Sequence, residues 1–124
     1  MAESRLISIV DDDQPFRDSL RRLMASLGYN AKTFASAANF LMSPLHPETA
    51  CLVADVNMPG MGGPELHRHL VDAGLAIPTI LITAYPDDRI RNDALKHGVL
   101  RYLCKLVDDQ DLEECVRSAL GAVR

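Results

Sequence analysis

No apolar run in this chain approaches the ~20 residues that a membrane-spanning helix needs. Its start, Met1-Ala2-Glu3-Ser4-Arg5, has no apolar signal-peptide core ahead of the first predicted strand. There is no excess of positive charge: 13 Lys and Arg stand against 17 Asp and Glu, a net charge of −4. A nucleic-acid surface needs clustered Lys and Arg, so direct nucleic-acid binding is not expected. No G-x-G-x-x-G follows the first strand, and Gly60 to Gly63 lacks the Gly-Lys-Ser/Thr of a phosphate loop. Dinucleotide binding and P-loop chemistry drop out. Only three cysteines occur, Cys51, Cys104 and Cys115, without metal-ligand spacing. An odd count without a secretion signal predicts free thiols in a reducing cytoplasm, with Cys104 partly exposed and oxidisable. Internal repeats, low-complexity stretches and a second domain are also missing. Residues 1–124 read as one domain, and residues 121–124 as either a natural end or the start of a linker.

What is present is ordinary in bulk, 48% apolar and 24% charged. The information lies in four short apolar runs that each end in a reactive polar residue. Leu6 to Val10 runs into Asp11 and Asp12, and Cys51 to Ala54 into Asp55. Thr79 to Ile82 runs into Thr83, and Val99 to Leu103, one residue later, into Lys105. Such runs between helical stretches read as buried strands of a parallel sheet.

Helical patterns alternate with them. Phe16, Leu20, Leu23, Met24 and Leu27 recur at helical spacing, and Gly28 follows as a stop. Asn30 to Phe34 is a short second strand, and Ser36 caps a helix through Leu41. A helix from Pro64 to Ala73 places Leu66, Leu70 and Ala73 on one face. Pro86 suits the first turn of the next helix, with Asp87 and Asp88 at its positive end and a stop near Gly98. Asp108 caps a last helix with Leu112, Cys115, Val116, Ala119 and Leu120 inward. The result is (βα)5, an α/β doubly wound five-stranded parallel sheet of flavodoxin-like order 2-1-3-4-5.

In such a sheet the ligand site lies outside the carboxyl ends of the strands. Asp11, Asp12, Asp55, Thr83 and Lys105 therefore share one rim. Clustered carboxylates repel, so the site should raise at least one pKa or recruit a cation. Hard oxygen ligands with room for water suit Mg²⁺. A carboxylate can act as a nucleophile and form an aspartyl-phosphate. Lys105 supplies a compact charge for phosphoryl oxygens, and Thr83 a hydroxyl donor. Asp13 reads as a helix cap rather than a ligand.

The motifs Val10-Asp11-Asp12-Asp13, Asp55-Val56-Asn57-Met58-Pro59-Gly60-Met61-Gly62-Gly63, Thr83-Ala84 and Tyr102-Leu103-Cys104-Lys105 are weak singly and specific in order. With them the chain resembles a receiver domain of a bacterial two-component response regulator, over residues 5–120. Phe16-Arg17-Asp18-Ser19-Leu20, Leu27-Gly28-Tyr29 and Phe34-Ala35-Ser36-Ala37 resemble the nitrogen-fixation (FixJ-like) branch. The resemblance implies a phosphoacceptor at Asp55. It implies Mg²⁺ held by Asp11, Asp12, Asp55 and the backbone carbonyl of Asn57. It makes Thr83 and Lys105 the phosphoryl-binding pair, and Tyr102 an aromatic switch. A histidine kinase would be the phosphodonor. The fourth helix, fifth strand and fifth helix would form the output face, where a homodimer would also form, with control of transcription as the outcome. Asn57 and Tyr85 occupy the positions that tune phosphate lifetime. Such a domain catalyses its own phosphotransfer and dephosphorylation and is not an enzyme in the usual sense.

One departure stands out. The family places Pro after the lysine, usually through a cis bond, and here Leu106 follows Lys105. A non-proline cis bond costs about 3–4 kcal/mol, so a trans bond is expected, with Lys105 displaced.

Blander readings compete. Asp11, Asp12 and Asp13 alone would pass as a solvated turn, Thr83 as a strand end, and Tyr102 as an ordinary half-buried aromatic. His46, His67, His69 and His97 read as surface residues. A pseudo-receiver that binds partners without switching is the alternative function, supported by Leu106 alone. A phosphatase with an Asp nucleophile is a third reading, against which Asn57 stands where a second Asp is needed.

Overall fold

The computed structural model describes residues 5–44, 46–106 and 108–121. Five parallel strands form one sheet in the order β2-β1-β3-β4-β5: β1 Leu6–Val10, β2 Asn30–Phe34, β3 Cys51–Asp55, β4 Thr79–Thr83 and β5 Arg101–Cys104. Between and after them run α1 Gln14–Ser26, α2 Ala37–Met42, α3 Gly63–Asp72, α4 Asp88–Lys96 and α5 Asp109–Gly121. A 3-10 turn, His46–Glu48, precedes β3. Among the described residues no helix is long and apolar enough to cross a membrane.

The central strands β1, β3 and β4 are buried at every position, which is why their sequences are near-continuous apolar runs. Alternation splits their side chains between two cores. Ile7, Ile9, Cys51, Val53, Ile80 and Ile82 face Leu20 and Met24 of α1 and Leu112, Val116, Ala119 and Leu120 of α5. Val10, Leu52, Ala54 and Leu81 face Phe40 of α2, Leu66 and Leu70 of α3, and Ala94 of α4. Burying a side chain such as Leu20 or Met24 stabilises by about 1.5–3 kcal/mol. The lone polar residue within β1, Ser8, is buried, and its hydroxyl is 2.7 Å from the buried Thr49 hydroxyl, so neither is left unpaired.

Caps and stops account for the helix bounds. Asp13 accepts the Phe16 N–H, and Ser36 accepts the Asn39 N–H. Gly28, at φ +91°, ends α1 in the left-handed region.

Several expected bounds move. Pro86 lies ahead of α4 rather than in its first turn, because Asp87 takes the cap and accepts from Arg89 N and Ile90 N. β5 begins at Arg101, not Val99. The Val99 N–H bonds back to the Ala94 carbonyl after Gly98 turns at φ +100°, so Val99 closes α4 instead of opening a strand. β5 is also an edge strand, exposed at Arg101 and half-buried beyond it, not buried throughout. Ala73 is the exposed C-cap of α3, outside the Leu66–Leu70 face. Cys115 is half-buried and packs against the core face of α5, as expected. Residues 122–124, where a linker was considered, lie outside the described residues.

Candidate phosphoryl and metal site

The carboxyl ends of β1, β3, β4 and β5 meet on one rim, and the chain's reactive groups converge there. Asp11 leaves β1 with 1% of its surface exposed. Its backbone is pinned on both sides: its N–H bonds the Phe34 carbonyl at 3.1 Å, and its carbonyl accepts Arg17 Nη1 at 2.7 Å. Its Oδ1 accepts the Asp13 N–H at 2.9 Å. Asp55, the last residue of β3, is 5% exposed, and its Oδ1 accepts the Asn57 N–H at 3.2 Å. Asp12 is exposed at the mouth. One carboxylate oxygen from each of Asp11, Asp12 and Asp55 lies within 4.8 Å of the other two.

Lys105 enters from the end of β5. Its N–H bonds the Thr83 carbonyl at 2.8 Å, which fixes the backbone against β4. Its Nζ is 3.0 Å from Asp11 Oδ2, 3.5 Å from Asp55 Oδ2 and 3.8 Å from Asp13 Oδ2. No described peptide bond is cis, so Lys105–Leu106 is trans, as expected. The displacement expected to accompany it does not occur. The Thr83 anchor sets the backbone before the bond in question, and four methylenes let the ammonium reach both carboxylates. Leu106 instead turns outward, 92% exposed.

Thr83 is buried, and its Oγ1 accepts two bonds, from Tyr85 N at 3.0 Å and from Asn57 Nδ2 at 3.3 Å. With two donors on its oxygen, the hydroxyl still has its own proton to donate. The Asn57 side chain thus ties the loop after β3 to the end of β4, a link its sequence position did not reveal. Tyr102, half-buried on β5, accepts the Asp87 N–H at its hydroxyl, 3.1 Å away, and so anchors the start of α4.

Electrostatics follow the crowding. Burial pushes the Asp55 carboxyl up to about 6, helped by the Asp11 charge, with the Asn57 N–H and Lys105 opposing. Burial pulls the Lys105 ammonium down, but the Asp11 hydrogen bond and the charges of Asp11, Asp55 and Asp13 outweigh it, and the net shift is up. Asp11 Oδ2 is buried and has no aligned hydrogen-bond donor. Lys105 Nζ, 3.0 Å away, pairs with that oxygen by charge, its aligned bond going to Oδ1 at 3.2 Å. A buried, under-coordinated carboxylate oxygen beside two further carboxylates fits a small hard cation such as Mg²⁺.

The remaining residues sort cleanly. His67 is not a surface residue: it is 6% exposed on the inner side of α3, and burial, then His97 and Arg68, lower its pKa. His69 and His97 are exposed, and His46 is half-buried. The Cys51 thiol is buried and pushed up to about 12 by desolvation, then by Cys115. Cys104 is half-buried. Asp13 does cap α1, and it also adds charge beside Lys105.

Residues 7–117 match the family model of the response regulator receiver domain. The chain is 36% identical over 121 residues to the transcriptional regulatory protein FixJ of Azorhizobium caulinodans, covering 98% of this chain and 57% of that protein. It is 35% identical over 118 residues to the transcriptional regulatory protein TdiR of Thauera aromatica, covering 95% and 52%. The chain therefore spans little more than half the length of these curated relatives. The crystal structure of FixJ-N superposes with a TM-score of 0.86 at 33% identity, covering 97% of this chain and 96% of that one. Strand order, rim and sequence agree, and the chain belongs to the response regulator receiver domain family, among relatives that include FixJ.

Proposed function

We propose that this receiver accepts a phosphoryl group on Asp55 from a histidine kinase and passes the change to the α4/β5/α5 face. The observation that carries the reading is the placement of the Lys105 ammonium, 3.0 Å from Asp11 and 3.5 Å from Asp55. A cation held between an ionisable carboxylate and its acidic neighbour has an electrostatic task at that carboxylate, not a packing one.

The step is an in-line displacement. A carboxylate oxygen of Asp55 bonds to phosphorus as the bond to the donor histidine nitrogen breaks, and the imidazole leaves with the electron pair. With its pKa near 6, Asp55 is largely ionised at neutral pH and keeps more basicity than an ordinary carboxylate. Lys105 neutralises charge on the phosphoryl oxygens, and the free Thr83 proton donates to one of them. Asp11, Asp12, Asp55 and the Asn57 carbonyl are the proposed Mg²⁺ ligands. The ion, when bound, screens the charge that builds between phosphoryl group and carboxylates.

The same contacts supply the relay. Thr83 Oγ1 holds the Tyr85 and Asn57 donors at rest. A phosphoryl group with about −2 charge accepts the Thr83 proton and pulls the hydroxyl inward, away from those two donors. The β4–α4 loop then loses its anchor, and Tyr102, bonded to Asp87 in that loop, is freed to turn. The face so altered includes the proposed homodimer surface. The domain spans residues 1–124, works in the cytoplasm, and turns over only its own phosphate, so it is a switch rather than an enzyme acting on a separate substrate. The family of its relatives points to transcription as the output.

Intact mass after incubation with Mg²⁺ and acetyl phosphate tests the reading. Gain of one phosphoryl group, lost on chelation and in Asp55→Ala, is expected. A folded, Mg²⁺-binding chain that gains nothing would refute it and return the pseudo-receiver.

A further inference from the structure

Lys105 has one more neighbour, and it is not an acid. Its Nζ lies 4.8 Å from the centroid of the Phe16 ring. A cation at that range is held by the negative face of the ring. We infer that Phe16 is a positioning residue that keeps Lys105 aimed at Asp55, a refinement that rests on the receiver reading above.

Beyond the Thr83 backbone bond and the carboxylates of Asp11, Asp55 and Asp13, few groups hold the Lys105 side chain. Leu106, the next residue, is 92% exposed and gives the loop no packing anchor. The lysine lines an open groove between α1 and α5, of 270 Å³, together with Phe16, Ser19, Leu23, Asp109 and Leu112. One flank of the side chain is thus a space, not a wall. Competing anions stand nearby: Asp13 Oδ2 at 3.8 Å, and Asp109 on the same groove. A free ammonium in this setting samples several carboxylates.

Phe16 is itself held firmly. Asp13 caps the helix through the Phe16 N–H at 3.3 Å, Pro15 stiffens the first turn, and the ring packs on the α1/α5 core. The ring is a fixed platform on α1 for a lysine delivered from β5.

Its attraction differs in kind from that of the acids. The pull of Asp11 and Asp55 on Lys105 weakens once their oxygens are engaged by a divalent cation, because their negative charge is then shared. The pull of the ring does not depend on those oxygens. Phe16 therefore matters most when the carboxylates are occupied and Lys105 must serve the phosphoryl group instead.

Two readouts on the full chain test this. Phe16→Leu keeps the apolar volume and removes the π face, while Phe16→Tyr keeps both. In the metal-free protein the Lys105 ε-methylene protons, observed by NMR, should be shifted upfield by the ring. That shift should vanish in Phe16→Leu and persist in Phe16→Tyr. With acetyl phosphate and Mg²⁺, Phe16→Leu should phosphorylate about fivefold more slowly, the loss a cation–π contact of ordinary strength gives, and Phe16→Tyr should restore the rate. Mg²⁺ affinity should be unchanged. An unshifted Lys105 in the wild type, a shift indifferent to Phe16→Leu, or a rate loss that Tyr does not rescue would overturn the inference. A wild type that shows the upfield shift but takes no phosphoryl group would instead overturn the receiver reading.

Discussion

Replacing Asp55 with Asn should make the metal-free protein more stable. The Asp55 carboxyl titrates near 6 rather than its ordinary 3.8, because burial and the Asp11 charge oppose its ionised form. A shift of about two units at 1.36 kcal/mol each is a cost of about 3 kcal/mol to the folded state at neutral pH. Asn occupies nearly the same volume without that charge. The pairing with Lys105 at 3.5 Å is already counted in that net shift, so the gain should be at most about 3 kcal/mol. The pH dependence carries the signature. Between about 4 and 6 the folded chain holds a proton on Asp55 that the unfolded chain has already lost, so wild-type stability falls as pH rises through that window. Below about pH 4 both states are protonated and the wild type and Asp55→Asn should converge. Above about pH 6 the full gap should be open. Urea unfolding with a chelator present, from pH 4 to 8, measures this directly. An Asp55→Asn chain that is less stable at pH 7.5, or a gap that does not change with pH, would refute the argument that Asp55 is a strained carboxylate.

Other perturbations probe the remaining contacts. Lys105→Met leaves Asp11, Asp55 and Asp13 without their cation and should cost about 2 kcal/mol in urea unfolding without metal, a loss that Asp55→Asn partly relieves in the double variant. Tyr102→Phe removes the acceptor of the Asp87 N–H and should speed amide exchange at the start of α4 several-fold, at a global cost under about 1 kcal/mol. Gly63→Ala would set a methyl 2.7 Å from the Asp55 carbonyl oxygen and 2.7 Å from Leu81 Cδ2, so thermal unfolding should report a loss of about 1–3 kcal/mol. If Gly63→Ala melts like wild type, the close approach of α3 to the end of β3 is not a constraint.

The sheet was legible where strands are buried on both faces. Leu6–Val10, Cys51–Asp55 and Thr79–Thr83 are near-continuous apolar runs with no competing pattern, and their bounds hold. The edge strand was harder, since Val99 looks like strand but is captured by the close of α4 through its bond to Ala94. His67 was misread because helical spacing alone does not say how wide the buried face of α3 is, and the face reaches beyond Leu66 and Leu70. At the rim, topology alone brings Asp11, Asp12, Asp55, Thr83 and Lys105 together once strand order is known. The Lys105 side chain was misjudged because the expectation followed the peptide bond after it, while the Thr83 bond before it decides its place. Phe16 gave only a core signal in sequence. Its second face, toward a lysine 89 positions along the chain, exists only after α1 and β5 are packed on the same sheet.

Borohydride reduction of the chain after phosphotransfer, followed by peptide mapping, tests the central claim most directly. An aspartyl-phosphate is reduced to homoserine, so the modified position is read without ambiguity. Homoserine at position 55 alone, dependent on Mg²⁺ and on the phosphodonor, is the predicted result. Homoserine at position 11 or 12, or at none, would contradict the assignment of Asp55 as the phosphoacceptor.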